Sequence, residues 1–179
     1  MKALAALAVV LGLTALASAQ QGDIIPLERV VKSQRGSVSQ KIANTDVTIV
    51  YGRPVARGRT LFGSLVPYGR VWHPGADAGS TLETTRDIQV NGHPLPKGKY
   101  SLWTMPGETA WTFMFSKEWD VFHTSYPGQH NDALRLEIKP ETGAHMETLS
   151  YYFPVVDGKD ATLRLHWGTV IVPLAIKVQ

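Results

Sequence analysis

From Ser37 onward the chain alternates apolar and polar residues with a period of two, and no stretch sustains the 3.6-residue period of a helix. Successive side chains of a β-strand point to opposite faces, so this alternation predicts strands with one buried face. Turns rich in Gly, Pro and Asn separate the segments, and Asn91-Gly92 is a strong hairpin signal. The clearest segments are residues 47–51, 88–90, 100–105, 111–115, 134–138, 148–155, 163–165 and 170–178.

These segments predict nine or ten short strands in a single all-β domain. We expect a single antiparallel β-sandwich, jelly-roll-like, with a closed barrel as the alternative. Pro173 predicts an edge or a bulge in the last strand, because proline cannot donate to a β-ladder. Two long irregular segments, residues 53–80 and 117–132, interrupt the strands, and segments of this length in compact domains are usually functional or disordered.

The N-terminus carries a basic start at Lys2, an apolar run over residues 3–16 and then Ala17-Ser18-Ala19. This order predicts a secretory signal peptide over residues 1–19, followed by an N-terminal arm at 20–36 and the domain at 37–179. The apolar run falls short of the ~20 residues that span a bilayer, so we expect cleavage and no stable membrane anchor. The expected location is therefore the periplasm or the extracellular space.

Composition narrows the classes of partner. The chain has 18 basic and 15 acidic side chains and no cysteine. Loss of Lys2 with the signal leaves a small basic excess without a clustered stripe, which argues against nucleic acid as a partner. Without cysteine there is no thiol catalysis and no thiolate metal site, and the exported domain must rely on its core. The sequence predicts no cofactor and leaves the oligomeric state open.

Several strings point to a known family. They are SVSQ at residues 37–40, VTIVYGRP at 47–54, GRTLFG at 58–63, VPYGRVW at 66–72 and LPKGKYSL at 95–102. On these strings, which span nearly all of the mature chain, the sequence resembles a secreted bacterial family catalogued as domain of unknown function 2911. The resemblance implies no activity that can be transferred. The family's next string is Trp-Arg-x-Gly-Ala-Asn, whereas this chain has Trp72-His73-Pro74-Gly75-Ala76-Asp77.

His73 and Asp77 are a candidate acid–base pair or part of a metal site. The alternative is a loop histidine and a turn-bracing aspartate. The resemblance favours the alternative, because arginine at the His73 position could neither act as a base nor bind a metal. Arginine and protonated histidine share only hydrogen-bond donation. We therefore predict no catalytic residue and a donor role for His73, with His73 and Asp77 as the pair to test if the protein is an enzyme.

Arg53, Arg57 and Arg59 lie close together around a proline and a glycine. They are either a clamp for a carboxylate, phosphate or acidic sugar, or solvated loop charges. Because strand ends of a sandwich meet at one rim, we predict a single cluster in which Arg53 or Arg59 bonds Asp77. The cluster consists of Arg53, Arg59, Trp72, His73 and Asp77.

The five tryptophans invite a carbohydrate-stacking interpretation, although most tryptophans of a sandwich belong to its core. Trp111 is expected in the core with the phenylalanines of its strand. Trp119 and Tyr126, in the second irregular segment, are the candidates for a glycan-binding ridge. The six histidines lack metal-ligand spacing; His123 and His130 could meet near Asp132, but spacing alone does not favour a metal.

No set of catalytic residues is complete in this sequence, and sandwiches present binding loops well. The leading expectation is an exported, non-catalytic domain that binds an envelope glycan or another small polar ligand. The first alternative is an enzyme with an Arg/His/Asp polar site. The second is a structural protein that assembles through an exposed edge strand, with residues 170–178 as the candidate edge.

Overall fold

A computed structural model describes residues 31–178. The predicted signal peptide and most of the predicted arm lie outside these residues. The ten strands are β1 (Arg35–Ile42), β2 (Thr45–Gly52), β3 (Thr81–Thr84), β4 (Ile88–Val90), β5 (His93–Leu95), β6 (Gly98–Met105), β7 (Trp111–Ser116), β8 (Asp132–Ile138), β9 (Glu141–Asp157) and β10 (Asp160–Val178). A 3-10 helix at Gln129–Asn131 is the only helix within the described range.

The strands form two antiparallel sheets. One has six strands in the order β1-β2-β3-β6-β7-β8, and the other has four in the order β5-β4-β10-β9. The sheets do not close on each other, so the predicted β-sandwich is confirmed and the barrel is excluded. The predicted alternation also holds, because the apolar faces of β2, β7 and β8 meet in one core. Its members include Val47, Ile49, Tyr51, Trp111, Phe113, Phe115, Leu136 and Ile138.

The Asn91-Gly92 hairpin joins β4 to β5 as predicted, with φ of 49° at Asn91 and 80° at Gly92. Two consecutive positive φ values define a type I′ turn, whose twist matches that of the flanking strands. Asparagine and glycine adopt this conformation at little cost, which explains their presence here.

The last two predicted strands are one strand of 19 residues, β10. Its pairing with β9 shifts register around Gly168, where φ is 59°. A bulge adds a residue to one strand and breaks the period of two, so the sequence suggested two strands. β10 is an inner strand of its sheet, and the expected edge at residues 170–178 was wrong. Pro173 lies between Ile171, the last residue paired with β9, and Ile176, the first paired with β4.

The six-stranded sheet also buries part of its outer face. Trp103 and Met114 are cross-strand partners and are buried, yet they lie outside the core between the sheets. The segment over residues 117–131 contributes to this burial, because the ring of Tyr126 packs edge-on against Trp103 at 5.4 Å between centroids. The second irregular segment therefore covers part of the outer face of this sheet.

Candidate functional site

After β2 the chain crosses from the first sheet to the second. Pro54 and Ala56 exchange backbone hydrogen bonds with the Glu147–Leu149 stretch of β9, where Val55 bridges Thr148. Arg57 and Gly58 then have φ of 53° and 68°, and the Arg59 N–H donates to the Ala56 carbonyl at 3.2 Å. This is a type I′ turn in which two arginines flank a glycine.

The two arginines of this turn are held differently. Arg59 donates from Nε to the Ala56 carbonyl at 2.8 Å and from Nη2 to the Val55 carbonyl at 2.6 Å. Arg57 is fixed through its backbone N–H, which donates to Glu147 Oε1 at 2.6 Å. Within residues 31–178 the Arg57 guanidinium makes no hydrogen bond or ion pair. The turn thus presents the Arg59 guanidinium oriented by two backbone carbonyls and the Arg57 guanidinium without a partner within the described residues.

Trp72 and His73 lie on opposite sides of one extended segment. Trp72 exchanges two backbone hydrogen bonds with Thr104 of β6, of 2.7 and 2.8 Å. Its indole stacks on Trp167 with ring centroids 6.0 Å apart and planes 12° apart. The His73 ring instead packs against Trp103, 5.6 Å away on the outer face of the sheet. Side chains alternate in extended backbone, so these sequence neighbours do not share a surface.

His73 is only 2% exposed, and its Nε2 accepts a hydrogen bond from the Ser80 backbone N–H. The proton therefore resides on Nδ1, which has no partner among the described residues. Burial, with smaller contributions from the nearby His123 and Arg35, lowers the pKa of His73 to about 3. We predicted that His73 donates a hydrogen bond, and this was wrong for the one hydrogen bond that its ring makes, in which it is the acceptor. An arginine at this position would bury a charged guanidinium, which is costly unless that group is paired.

Residues 73–80 pack tightly against the end of β2. A Cβ added at Gly52 would lie 2.2 Å from the Ala76 carbonyl oxygen, and one at Gly75 would lie 2.3 Å from Ser80 Oγ. Asp77 has φ of 61°, a left-handed conformation that Asp and Asn adopt more readily than most residues. Its carbonyl accepts from His123 Nδ1 at 2.8 Å. The two irregular segments are therefore joined here.

These elements enclose an open cavity of about 450 Å³, which we call the rim cavity. Arg57 and Arg59 line it from the turn after β2. The rings of Trp72 and the neighbouring Trp167 form an aromatic wall. Lys32 and His123 add polar groups, and Asp77 is the one carboxylate among the lining residues that the structure describes. This described lining thus combines three permanent cations, one anion and two indoles.

Three of the predicted cluster residues, Arg59, Trp72 and Asp77, line this one cavity. The other two do not: His73 is buried behind the wall, and Arg53 reaches β9, where its Nη2 donates to Ser150 Oγ at 3.3 Å. The predicted bond from Arg53 or Arg59 to Asp77 is absent, because both guanidinium groups bond elsewhere. Sequence reasoning missed Lys32, which it placed in the arm, and considered His123 only as a metal ligand.

Trp119 and Tyr126 do not form the predicted ridge. Trp119 is 44% exposed and carries Lys99 Nζ 4.1 Å from its ring centroid. The Tyr126 hydroxyl donates to Asp132 Oδ2 at 2.7 Å and accepts from Arg135 at 3.0 Å. Burial, assisted by the bond to Asp132, raises the pKa of Tyr126 to about 12. Tyr126 is thus part of an internal polar network.

Within residues 31–178, no group of three or more His, Asp or Glu side chains is arranged to hold a metal ion. No helix in that range has the length and apolarity to cross a membrane.

Comparison with known proteins gives one match. No curated protein and no solved structure matches the chain. The model of the family described as "Protein of unknown function (DUF2911)" matches residues 33–176, which include every strand except the last two residues of β10. The chain therefore belongs to the DUF2911 family, as its sequence strings indicated.

Proposed function

We propose that this protein binds a small carboxylate-bearing ligand in the rim cavity and performs no chemistry on it. The observation that carries the proposal is the Arg57–Arg59 turn, which brings two guanidinium groups to one cavity of about 450 Å³. This volume lies in the usual range for ligand sites, roughly 300–1,000 Å³. Lys32 adds a third positive charge.

The nature of the lining favours a sugar acid. A guanidinium matches a carboxylate in shape and charge, and Arg59 is already oriented by two carbonyls, so binding would cost it little conformational entropy. Asp77 would repel a second acid group and accept hydrogen bonds from hydroxyls. Trp72 offers an aromatic surface of the kind on which sugar rings pack. An acidic sugar of an envelope glycan has all of these features.

The hydrogen bonds of the two histidines near the cavity, His73 and His123, argue against catalysis. A general base must reach the proton that it removes, and buried His73 already uses Nε2 to bind Ser80. His123 faces the cavity, but its Nδ1 bonds the backbone carbonyl of Asp77 and not the carboxylate. The imidazoles of His73 and His123 are thus used in holding residues 73–80 in place, and neither of these bonds involves the Asp77 carboxylate.

Calorimetric titration with glucuronate tests the proposal. Arg57→Gln should weaken binding roughly 10- to 100-fold, because a hydrogen bond to a charged group contributes about 1.5–3 kcal/mol. Arg86→Gln is the matched control, since Arg86 lines a separate cavity of about 530 Å³ with Asn44 and Lys97. Equal losses in the two variants would mean that only overall charge matters and would contradict the proposal.

We also propose that the protein is exported. The support is the order of a basic residue, an apolar run and small residues within residues 1–19, which is typical of a signal peptide. Intact-mass measurement of the protein purified from the envelope or medium should give a chain that begins at Gln20, with or without cyclisation to pyroglutamate. A mature protein that retains residues 1–19 would disprove cleavage.

A further inference from the structure

A second cavity of about 320 Å³, which we call the side cavity, lies next to the rim cavity. Arg59 and Trp167 line both cavities, so the two are neighbours that share a wall. Together they offer more room than one sugar ring with its acid group requires.

The lining of the side cavity differs from that of the rim cavity. Thr60 and Thr169 supply hydroxyl groups, and Phe62 and Tyr68 supply aromatic rings. Arg59 is the only permanently charged residue of its lining within residues 31–178, and His145, which also lines it, bonds Glu147 Oε2 at 2.8 Å. This mixture suits a neutral, hydroxyl-rich ring better than a second acid group or an acyl chain.

Tyr68 is held where it can serve as a stacking surface. It is 41% exposed, and it packs on the turn at Gly63, where an added Cβ would lie 2.9 Å from Tyr68 Cε2. The turn is closed by a bond from the Gly63 N–H to the Val66 carbonyl at 2.9 Å. A ring fixed in this way needs little ordering when a ligand packs on it.

We propose that the ligand is an acidic oligosaccharide of at least two units, with a uronic acid in the rim cavity and a neutral sugar in the side cavity. This inference rests on the proposed function and specifies its ligand class. Arg59 lies at the junction. Its Nε and one N–H of Nη2 donate to carbonyls, so the second N–H of Nη2 and both of Nη1, which make no hydrogen bond within residues 31–178, remain for the ligand.

The test compares ligands on the mature protein by calorimetry: glucuronate, an aldobiouronic acid in which glucuronate is joined to xylose, neutral xylobiose, and the acidic peptide triglutamate. The aldobiouronic acid should bind about tenfold more tightly than glucuronate, and xylobiose should bind more weakly than either. Tyr68→Ala and Thr169→Val should remove the gain of the disaccharide and leave glucuronate binding unchanged. Trp119→Ala, which changes an exposed aromatic residue outside both cavities, should alter neither affinity.

The outcomes separate the two proposals. If the disaccharide binds no more tightly than glucuronate, the two-unit inference fails and the proposed function stands. If triglutamate binds more tightly than the disaccharide, the ligand is a peptide and the saccharide inference is overturned. If none of the acidic probes binds, the proposed function fails as well.

Discussion

At the scale of single residues, Trp72 and His73 determine how this site is interpreted. As sequence neighbours they suggested one polar cluster, but the Trp72–Thr104 bridge makes this segment extended and turns the two side chains to opposite sides. Trp72 belongs to the rim cavity, whereas His73 accepts a hydrogen bond from the Ser80 backbone N–H. An imidazole suits this position because it is small and can accept a hydrogen bond while neutral.

The burial of His73 predicts a pH dependence of stability. Its pKa is about 3 in the folded protein and near 6.5 when exposed in the unfolded chain, so between these values the unfolded state binds more protons. The contribution of His73 to stability is complete above pH 6.5 and decreases as the pH falls toward 3. The slope from this one group is at most about 1.4 kcal/mol per pH unit.

Urea unfolding at a series of pH values measures this slope. His73→Gln keeps a side-chain acceptor but does not titrate, so its free energy of unfolding should fall less between pH 7 and pH 4 than that of the wild type. Parallel pH profiles for the two proteins would mean that His73 is not the titrating group.

At the scale of elements, the packing of residues 73–80 on β2 depends on Gly52. Gly52→Ala should lower the free energy of unfolding by roughly 1–3 kcal/mol, because its Cβ would overlap the Ala76 backbone carbonyl and shift the cavity wall. Gly36→Ala is the matched control on the neighbouring strand, where the closest atom is Cδ of the exposed, flexible Arg53 at 2.6 Å. Urea midpoints for the two variants should differ clearly; equal midpoints would contradict this packing.

The segment over residues 117–131 is held down by Tyr126. Tyr126→Phe removes the bonds to Asp132 and Arg135 and should cost about 1 kcal/mol of stability, because Arg135 still pairs with Asp132 at 2.7 Å. Hydrogen exchange should become faster in this segment. Tyr68→Phe serves as the control, since no hydrogen bond engages the Tyr68 hydroxyl within the described chain. Equal losses of stability in Tyr126→Phe and Tyr68→Phe would contradict this role of the Tyr126 hydroxyl.

The strands were predictable to different extents, for physical reasons. β2, β7 and β8 each turn alternate apolar residues toward the core between the sheets, so this alternation was visible in the sequence and their core residues were identified. β3 has only four residues, too few for a period to show, and it was missed. β10 bends at bulges that interrupt its period, so it was divided in two. The period-two sequence pattern therefore reveals a strand only where the strand pairs with its neighbours in a regular register.

At the scale of the whole molecule, sequence predicted the sandwich but only part of the site. Arg59, Trp72 and Asp77 were placed together correctly because all three belong to the first irregular segment. Lys32 and His123 join them only through tertiary structure, since they precede β1 and follow β7. The partners of Arg53 and Glu147 depend on where the crossing segment meets β9, and no local pattern encodes that contact.

A second cavity with two basic residues, far from the Arg57–Arg59 turn in sequence, decides how the central claim is best tested. The rim cavity contains Arg57 and Arg59, and the other contains Arg86 and Lys97 next to Asp87. A ligand attracted only by charge would have no preference between them. A ligand recognised by the turn and the indole should bind to the rim cavity alone.

Amide and indole chemical-shift mapping of the ¹⁵N-labelled mature protein during titration with glucuronate distinguishes these cases most directly. The largest shifts should fall on the backbone amides of Arg57, Gly58 and Arg59 and on the Trp72 indole N–H, with no response at Arg86 or Lys97. Shifts centred on Arg86 and Lys97, or no saturable shifts at any site, would contradict the assignment of the rim cavity as the binding site.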